Sequence, residues 1–222
     1  LSIIIGNKNI MRTKLTLLLL FFCLTIFAQK IKVACIGNSI TYGYTIENRD
    51  KDSYPAQLQA LLGEGYDVQN YGNCGKTAQN DADDPYTKCP EYQQAKDFLP
   101  QIAVIKLGTN DSKPQNWVGV ERFIKDLEAL AVEFENLPSK PKIIICLPAK
   151  AYKVAWSIRD EVIQQQLPAI KKLAKKHHWP LINLYKKTSG KPELFPDGIH
   201  PNAEGAGIIA AEVKKVVVKA KK

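Results

Sequence analysis

Little in this sequence could hold a metal ion or a nucleotide. It has three histidines, and two of them, His177 and His178, are adjacent and so point different ways on a helix. None of the five cysteines has a zinc-site spacing. No glycine-rich phosphate loop opens a helix, so a flavin or nucleotide binder lacks its signature. There is no internal repeat, and no low-complexity segment beyond a lysine-rich tail. The longest apolar run, Leu15 to Phe27, is too short to span a bilayer comfortably. The basic excess lies on Lys171, Lys172, Lys175, Lys176, Lys214, Lys215, Lys219, Lys221 and Lys222. These fall in amphipathic helical patterns with no aromatic residues interleaved. They read as a solvated helix face, and no nucleic-acid partner is expected.

What is present suffices for one sizeable core: 222 residues, 45% of them hydrophobic. The start reads as a separate segment. Met11-Arg12-Thr13-Lys14 is basic, Leu15 to Phe27 is apolar, and Ala28 offers a small residue before a cut ahead of Gln29. Residues 1–10 read as an upstream extension and 11–28 as a secretory signal peptide. Residues 29–222 are then the domain, exported to the periplasm or medium with no stable membrane insertion. Cys23 follows Phe22, where a lipid-anchor motif needs a small residue. Lys8, Arg12 and Lys14 leave with the leader, so the formal charge of +9 falls to +6. Cys35 and Cys146 sit in apolar runs and read as small core residues. Cys74 and Cys89 flank a polar loop, as a disulfide or as two free thiols.

Five apolar runs read as strands: Ile31 to Ile36, Tyr66 to Tyr71, Ile102 to Leu107, Lys142 to Leu147 and Pro180 to Leu184. Helical patterns lie between them. Ser53 is placed to cap the first long helix, which Gly63 and Gly65 end. Glu91 to Leu99 is a short helix. Val118 to Glu135 carries a stripe of Phe123, Leu127, Leu130 and Phe134. Arg159 to His177 is a helix that Pro168 should kink or split. Ala203 to Lys219 closes the chain. Strands alternating with helices predict an α/β fold with a five-stranded parallel sheet in flavodoxin-like order.

Parallel strands deliver their C-terminal turns to one edge, where open α/β sheets bind ligands. Ser39 follows strand one, on backbone that Gly37 allows to bend. Gly72 follows strand two, Asn110 follows strand three, and Asp197 with His200 precedes the last helix. Alone, each has an ordinary reading: a cap, a turn, a loop, an Asx-turn with a surface histidine. Together they supply a nucleophile, a base, a group to orient the base, and oxyanion donors. An ion pair with Asp197 is expected to raise the pKa of His200.

GNSIT at 37–41, NYGNCG at 70–75, GTND at 108–111 and DGIHPN at 197–202 resemble the four blocks of the SGNH (GDSL-type) hydrolases. The resemblance covers essentially the whole of 29–222. It implies a three-layer α/β/α sandwich and ester hydrolysis without a cofactor or metal. It also implies Ser39, Asp197 and His200 as a catalytic triad, with the oxyanion held by Ser39, Gly72 and Asn110. The first block departs from the family in reading Asn38 where Asp is usual, and Cys74 stands where serine is common. The stretches GTNDSKPQNW, LPAKAY and ELFPDGIHPNAEGA resemble exported Bacteroidetes-type O-acetylesterases acting on sialic acid or other glycans.

Two loops at the catalytic edge mix aromatics with polar groups. Lys113 and Trp117 follow the third block; Lys150, Tyr152 and Trp156 follow strand four. A sugar needs an aromatic face beside hydrogen bonds, so these five are the candidate substrate-binding residues. The expected substrate is an acetylated glycan or another small ester. The competing readings are a lysophospholipase or thioesterase, and a flavodoxin-like binding protein without catalysis.

Overall fold

A computed structural model describes residues 29–220. The segment read as a signal peptide lies outside them. The sheet consists of β1 (Ile31–Gly37), β2 (Tyr66–Gly72), β3 (Ile102–Lys106), β4 (Lys142–Cys146) and β5 (Leu181–Ile182). Its order is β2-β1-β3-β4-β5, with every neighbouring pair parallel. This is the predicted flavodoxin-like order, with a topological switch point between β1 and β3.

The helices are α1 (Ser39–Tyr42), α2 (Arg49–Asp52), α3 (Tyr54–Leu62), α4 (Pro90–Asp97), α5 (Val120–Glu135), α6 (Asp160–Lys176), α7 (Leu184–Thr188) and α8 (Ala203–Ala220). Residues of alternating strand positions face opposite layers. Val33, Cys35, Val104, Ile144 and Cys146 pack with Leu58 of α3 and Ile209, Val213 and Val217 of α8. Ala34, Ile36, Ala103, Ile105 and Ile145 pack with Phe123, Leu127, Leu130 and Phe134 of α5 and Ile170 and Leu173 of α6. The result is a three-layer α/β/α sandwich. Each fully buried Leu or Phe of the α5 stripe contributes roughly 1.5–3 kcal/mol, so packing holds this helix against the sheet.

Three expectations change in detail, and the open alternative at Cys74 and Cys89 is decided. Ser53 stands at the start of α3, but its side chain makes no capping bond there; it is buried instead. Pro168 does not split α6, which runs through it as one helix. The last strand is only two residues long, and Leu184 begins α7. There Asn183 caps the turn by accepting the Lys186 N–H. Cys74 and Cys89 are free thiols, not a disulfide. Lys171, Lys172, Lys175 and Lys176 are exposed on α6, as the solvated-face reading expects.

Candidate active site

Ser39 is the first residue of α1, directly beyond β1. Asn38 caps this helix, its Oδ1 accepting the Ile40 N–H at 3.2 Å. The Ser39 Oγ lies 2.8 Å from His200 Nε2. His200 Nδ1 lies 2.6 Å from Asp197 Oδ2. A carboxylate on that side keeps the proton on Nδ1 and leaves Nε2 to accept from the serine hydroxyl. Asp197 Oδ1 also accepts the backbone N–H groups of Ile199 (2.9 Å) and His200 (2.7 Å). The Asx-turn reading of this pair and the orienting geometry are therefore one structure. Asp197 is pushed up by burial, but these hydrogen bonds and His200 outweigh that and hold it below the usual carboxylate range.

His200 departs from expectation. Its imidazole is shifted below the ordinary value, not above it. Burial disfavours the cation more than Asp197 favours it, and the charge of Lys106 adds to the lowering.

Asn110 opens a short 3-10 turn beyond β3. Its amide donates one hydrogen to the Lys76 carbonyl at 3.0 Å, and an amide carries a second. The adjacent Asp111 holds the loop opposite, accepting the N–H groups of Ala78 and Gln79, each at 2.9 Å. Burial pushes Asp111 up to about 6 against the pull of these bonds.

Ser39, Asn110 and His200 line one cavity of about 180 Å³, with Tyr44, Cys74, Gly75, Thr109, Lys113, Trp156, Ile158 and Ile199. Gly72 is not among them. Its N–H is spent on Asn70 Oδ1 at 2.9 Å. It pairs with Gly37 in the sheet, where a Cβ would stand 2.1 Å from the Tyr42 nitrogen. Gly72 thus lets the backbone of α1 lie against β2. The glycine of this block that faces the cavity is Gly75, with a φ of 80°.

Of the five candidate substrate residues, Lys113 and Trp156 line the cavity. Trp117 packs into the core beside Phe123, ring centres 6.0 Å apart. Lys150 is paired with Asp160 Oδ2 at 2.8 Å and bonded to the Tyr185 hydroxyl. Tyr152 packs at a tilt against Phe195, ring centres 5.4 Å apart, and donates to the Thr188 carbonyl. These three brace their loops against α5, α6 and α7, because each finds a partner there before it can reach the cavity. Tyr44, which sequence reasoning passed over, packs against the His200 ring at 4.8 Å and edge-on to Trp156 at 6.0 Å. Its only sequence signal was an aromatic in an otherwise polar loop. Trp156 is 58% exposed, and it and Ser157 adopt left-handed backbone (φ 56° and 60°).

Residues 35–208 match the model described as the GDSL-like Lipase/Acylhydrolase family. The chain is 40% identical over 207 residues to an acetylxylan esterase of Xylanibacter ruminicola, the match covering 83% of this chain and 43% of that protein. It thus spans less than half the length of that relative. Among solved structures it resembles a carbohydrate acetylesterase from Sinorhizobium meliloti (TM-score 0.71, 18% identity, 86% of this chain and 99% of the other). It also resembles an aryl esterase of M. Smegmatis (TM-score 0.70, 16% identity, 86% and 99%). At such identities the likeness concerns the fold alone.

Proposed function

The chain belongs to the GDSL-like lipase/acylhydrolase family, a family of serine ester hydrolases, and from that premise we propose that it removes acetyl groups from the hydroxyls of a polysaccharide. The observation that carries this reading is the run Asp197–His200–Ser39, at 2.6 and 2.8 Å, opening into a small cavity. Ser39 Oγ attacks the ester carbonyl while His200 Nε2 takes its proton. Asp197 orients the imidazole and stabilises its cation. The oxyanion is met by the Asn110 amide and the backbone N–H groups of Ser39 and Gly75, with Gly75 in the place expected of Gly72. His200 then returns the proton to the departing sugar oxygen. Water, deprotonated by the same imidazole, cleaves the acyl-serine to acetate.

A volume of about 180 Å³ is below the roughly 300–1,000 Å³ of sites that hold drug-sized ligands. This favours a short acyl group over the long chain of a lysophospholipid. Thr109 lines the same cavity, and its Oγ1 is buried without a hydrogen-bond partner among the described residues. Tyr44 and Trp156 supply the aromatic wall a sugar ring would use. The name of the Xylanibacter relative points to acetylated xylan. Lys113 favours a second substrate, an O-acetylated sialic acid, through its carboxylate.

Export is part of the proposal and rests on residues 11–28. Among the described residues, no helix is long and apolar enough to cross a membrane.

The test is a substrate panel with a Ser39→Ala control. Acetylated xylan and O-acetyl sialic acid should be deacetylated, and p-nitrophenyl acetate should be preferred to the octanoate. Ser39→Ala should stay folded and lose about three orders of magnitude or more. A fluorophosphonate should label Ser39. Octanoate preference would mean a lipase-type acyl hydrolase, and no turnover of any ester would mean a binding protein.

A further inference from the structure

Lys106 is the last residue of β3 and stands in register with Gly37, the last of β1. It is a lysine with 0% exposure, among the largest fully buried side chains of the molecule. The reaction as written does not use it. Among the described residues no carboxylate pairs with it, and a buried lysine without one costs stability, so its presence calls for a reason. Its ammonium has one hydrogen-bond partner among the described residues, Asn38 Oδ1 at 3.2 Å. That same oxygen accepts the Ile40 N–H and caps the helix that begins at Ser39. Two hydrogen bonds thus lead from the sheet to the nucleophile's turn.

Among the described residues, Cys146 acts electrostatically on Lys106 and in turn couples to Cys35 and Tyr54; all three are uncharged near neutral pH. Burial holds Cys146 of β4 up at about 12. It also holds Cys35 of β1 and Tyr54 of α3 far above their ordinary values. Burial lowers Lys106 itself to about 7. On the other side, His200 faces Asp197 from its own loop, Ser39 from α1, and the rings of Tyr44 and Trp156. Lys113 lines the same cavity. Of these groups, Asp197 favours the imidazolium and Lys106 opposes it.

We propose that Lys106 is a positioning residue of the esterase reaction: through Asn38 it anchors the turn that carries Ser39, and its charge favours the proton-accepting form of His200. This rests on the assignment of Ser39 and His200 made above. As pH falls, Lys106 gains its charge and from then on opposes protonation of the imidazole, so the base remains usable further into acid. In mildly alkaline solution Lys106 is neutral, and only the anchor remains. The two roles therefore separate along the pH axis.

The experiment compares wild type, Lys106→Met and Lys106→Gln by kcat/KM for p-nitrophenyl acetate and by the rate of fluorophosphonate labelling, from acid to mildly alkaline pH. Methionine keeps the bulk and removes both charge and donor. It should melt no lower than wild type, since an apolar replacement for a buried charge is often neutral or stabilising. Its alkaline plateau should fall by about three- to tenfold as the turn loosens. Its acid limb should move to higher pH, so that in acid it keeps a fraction of its plateau roughly threefold or more below the wild-type fraction. Glutamine restores a donor to Asn38 without the charge. Its plateau should recover while its acid limb stays displaced. Plateau losses with the acid limb unmoved in both variants would reduce Lys106 to a packing residue and overturn the proposal. So would wild-type profiles in both. A Ser39→Ala control that kept its activity would overturn the parent reading, and this one with it.

Discussion

The imidazole of His200, the base of the proposed hydrolysis, is pulled in two directions, and on that proposal the balance sets where hydrolysis stops in acid. Asp197, 2.6 Å away, favours the cation. Burial and the charge of Lys106 disfavour it, and they win, so the pKa lies below the ordinary value. A general base must be neutral in the free enzyme, and the acid limb of kcat/KM reports its titration. That limb should therefore fall below about 6.5, the value of an unperturbed imidazole. Removing the carboxylate with Asp197→Asn should lower the plateau and move the limb further into acid, opposite in sign to Lys106→Met. A pH–rate profile of the two enzymes checks both statements. A wild-type limb above the ordinary imidazole value, or an upward shift in Asp197→Asn, would contradict them. The sequence alone suggested the reverse direction, because an adjacent Asp is visible in the chain and the burial of the ring is not.

At the scale of elements, the strands were legible because parallel strands buried on both faces are continuous apolar runs. Their C-terminal turns were legible because Gly, Asn and Ser interrupt those runs abruptly. What stayed hidden was the direction each group takes once the turn is built. The second block, NYGNCG, holds two glycines, and spacing does not say which faces the serine. Gly72 lies within β2 against the backbone of α1, while Gly75 turns into the cavity. The two should fail differently. In Gly72→Ala the methyl meets backbone at 2.1 Å, and overpacking of this kind costs about 1–3 kcal/mol or more. Its melting temperature should drop, and Ser39 labelling with it. In Gly75→Ala the methyl meets, among the described residues, only the Asp84 carboxylate at 3.1 Å. It pays chiefly for left-handed backbone, roughly 1–2 kcal/mol, and should lower kcat through the donor it displaces. Calorimetry beside initial rates distinguishes them. A stable Gly72→Ala with a loss confined to kcat would return the oxyanion role to Gly72.

Over the whole molecule, the sheet brings together loops that are far apart in sequence, and this assembly separates residues that line the cavity from those that brace its loops. Trp117 and Trp156 looked alike in the sequence, each an aromatic beside lysine after a strand. The long α5 draws Trp117 inward onto Phe123. The loop before α6 leaves Trp156 exposed at the mouth, beside Tyr44 and His200. The partners of Trp156 come from distant segments, so no local pattern marks it as the one at the mouth. The left-handed backbone at Trp156 and Ser157 is a further sign of a constrained site, since such strain persists only where the surroundings impose it. If Trp156 is a platform for the sugar, Trp156→Ala should lower kcat/KM on acetylated xylan by about tenfold or more, the equivalent of about 1.4 kcal/mol. On p-nitrophenyl acetate the loss should stay within about threefold, because that small ester draws little binding from the rim. The ratio of the two losses cancels any general damage to Ser39, His200 and Asp197, which both substrates use. Trp117→Ala serves as the contrast: it should lower the melting temperature and depress both substrates alike. Equal losses on the two substrates in Trp156→Ala would make it one more packing residue and leave Tyr44 and Lys113 to carry recognition of the sugar.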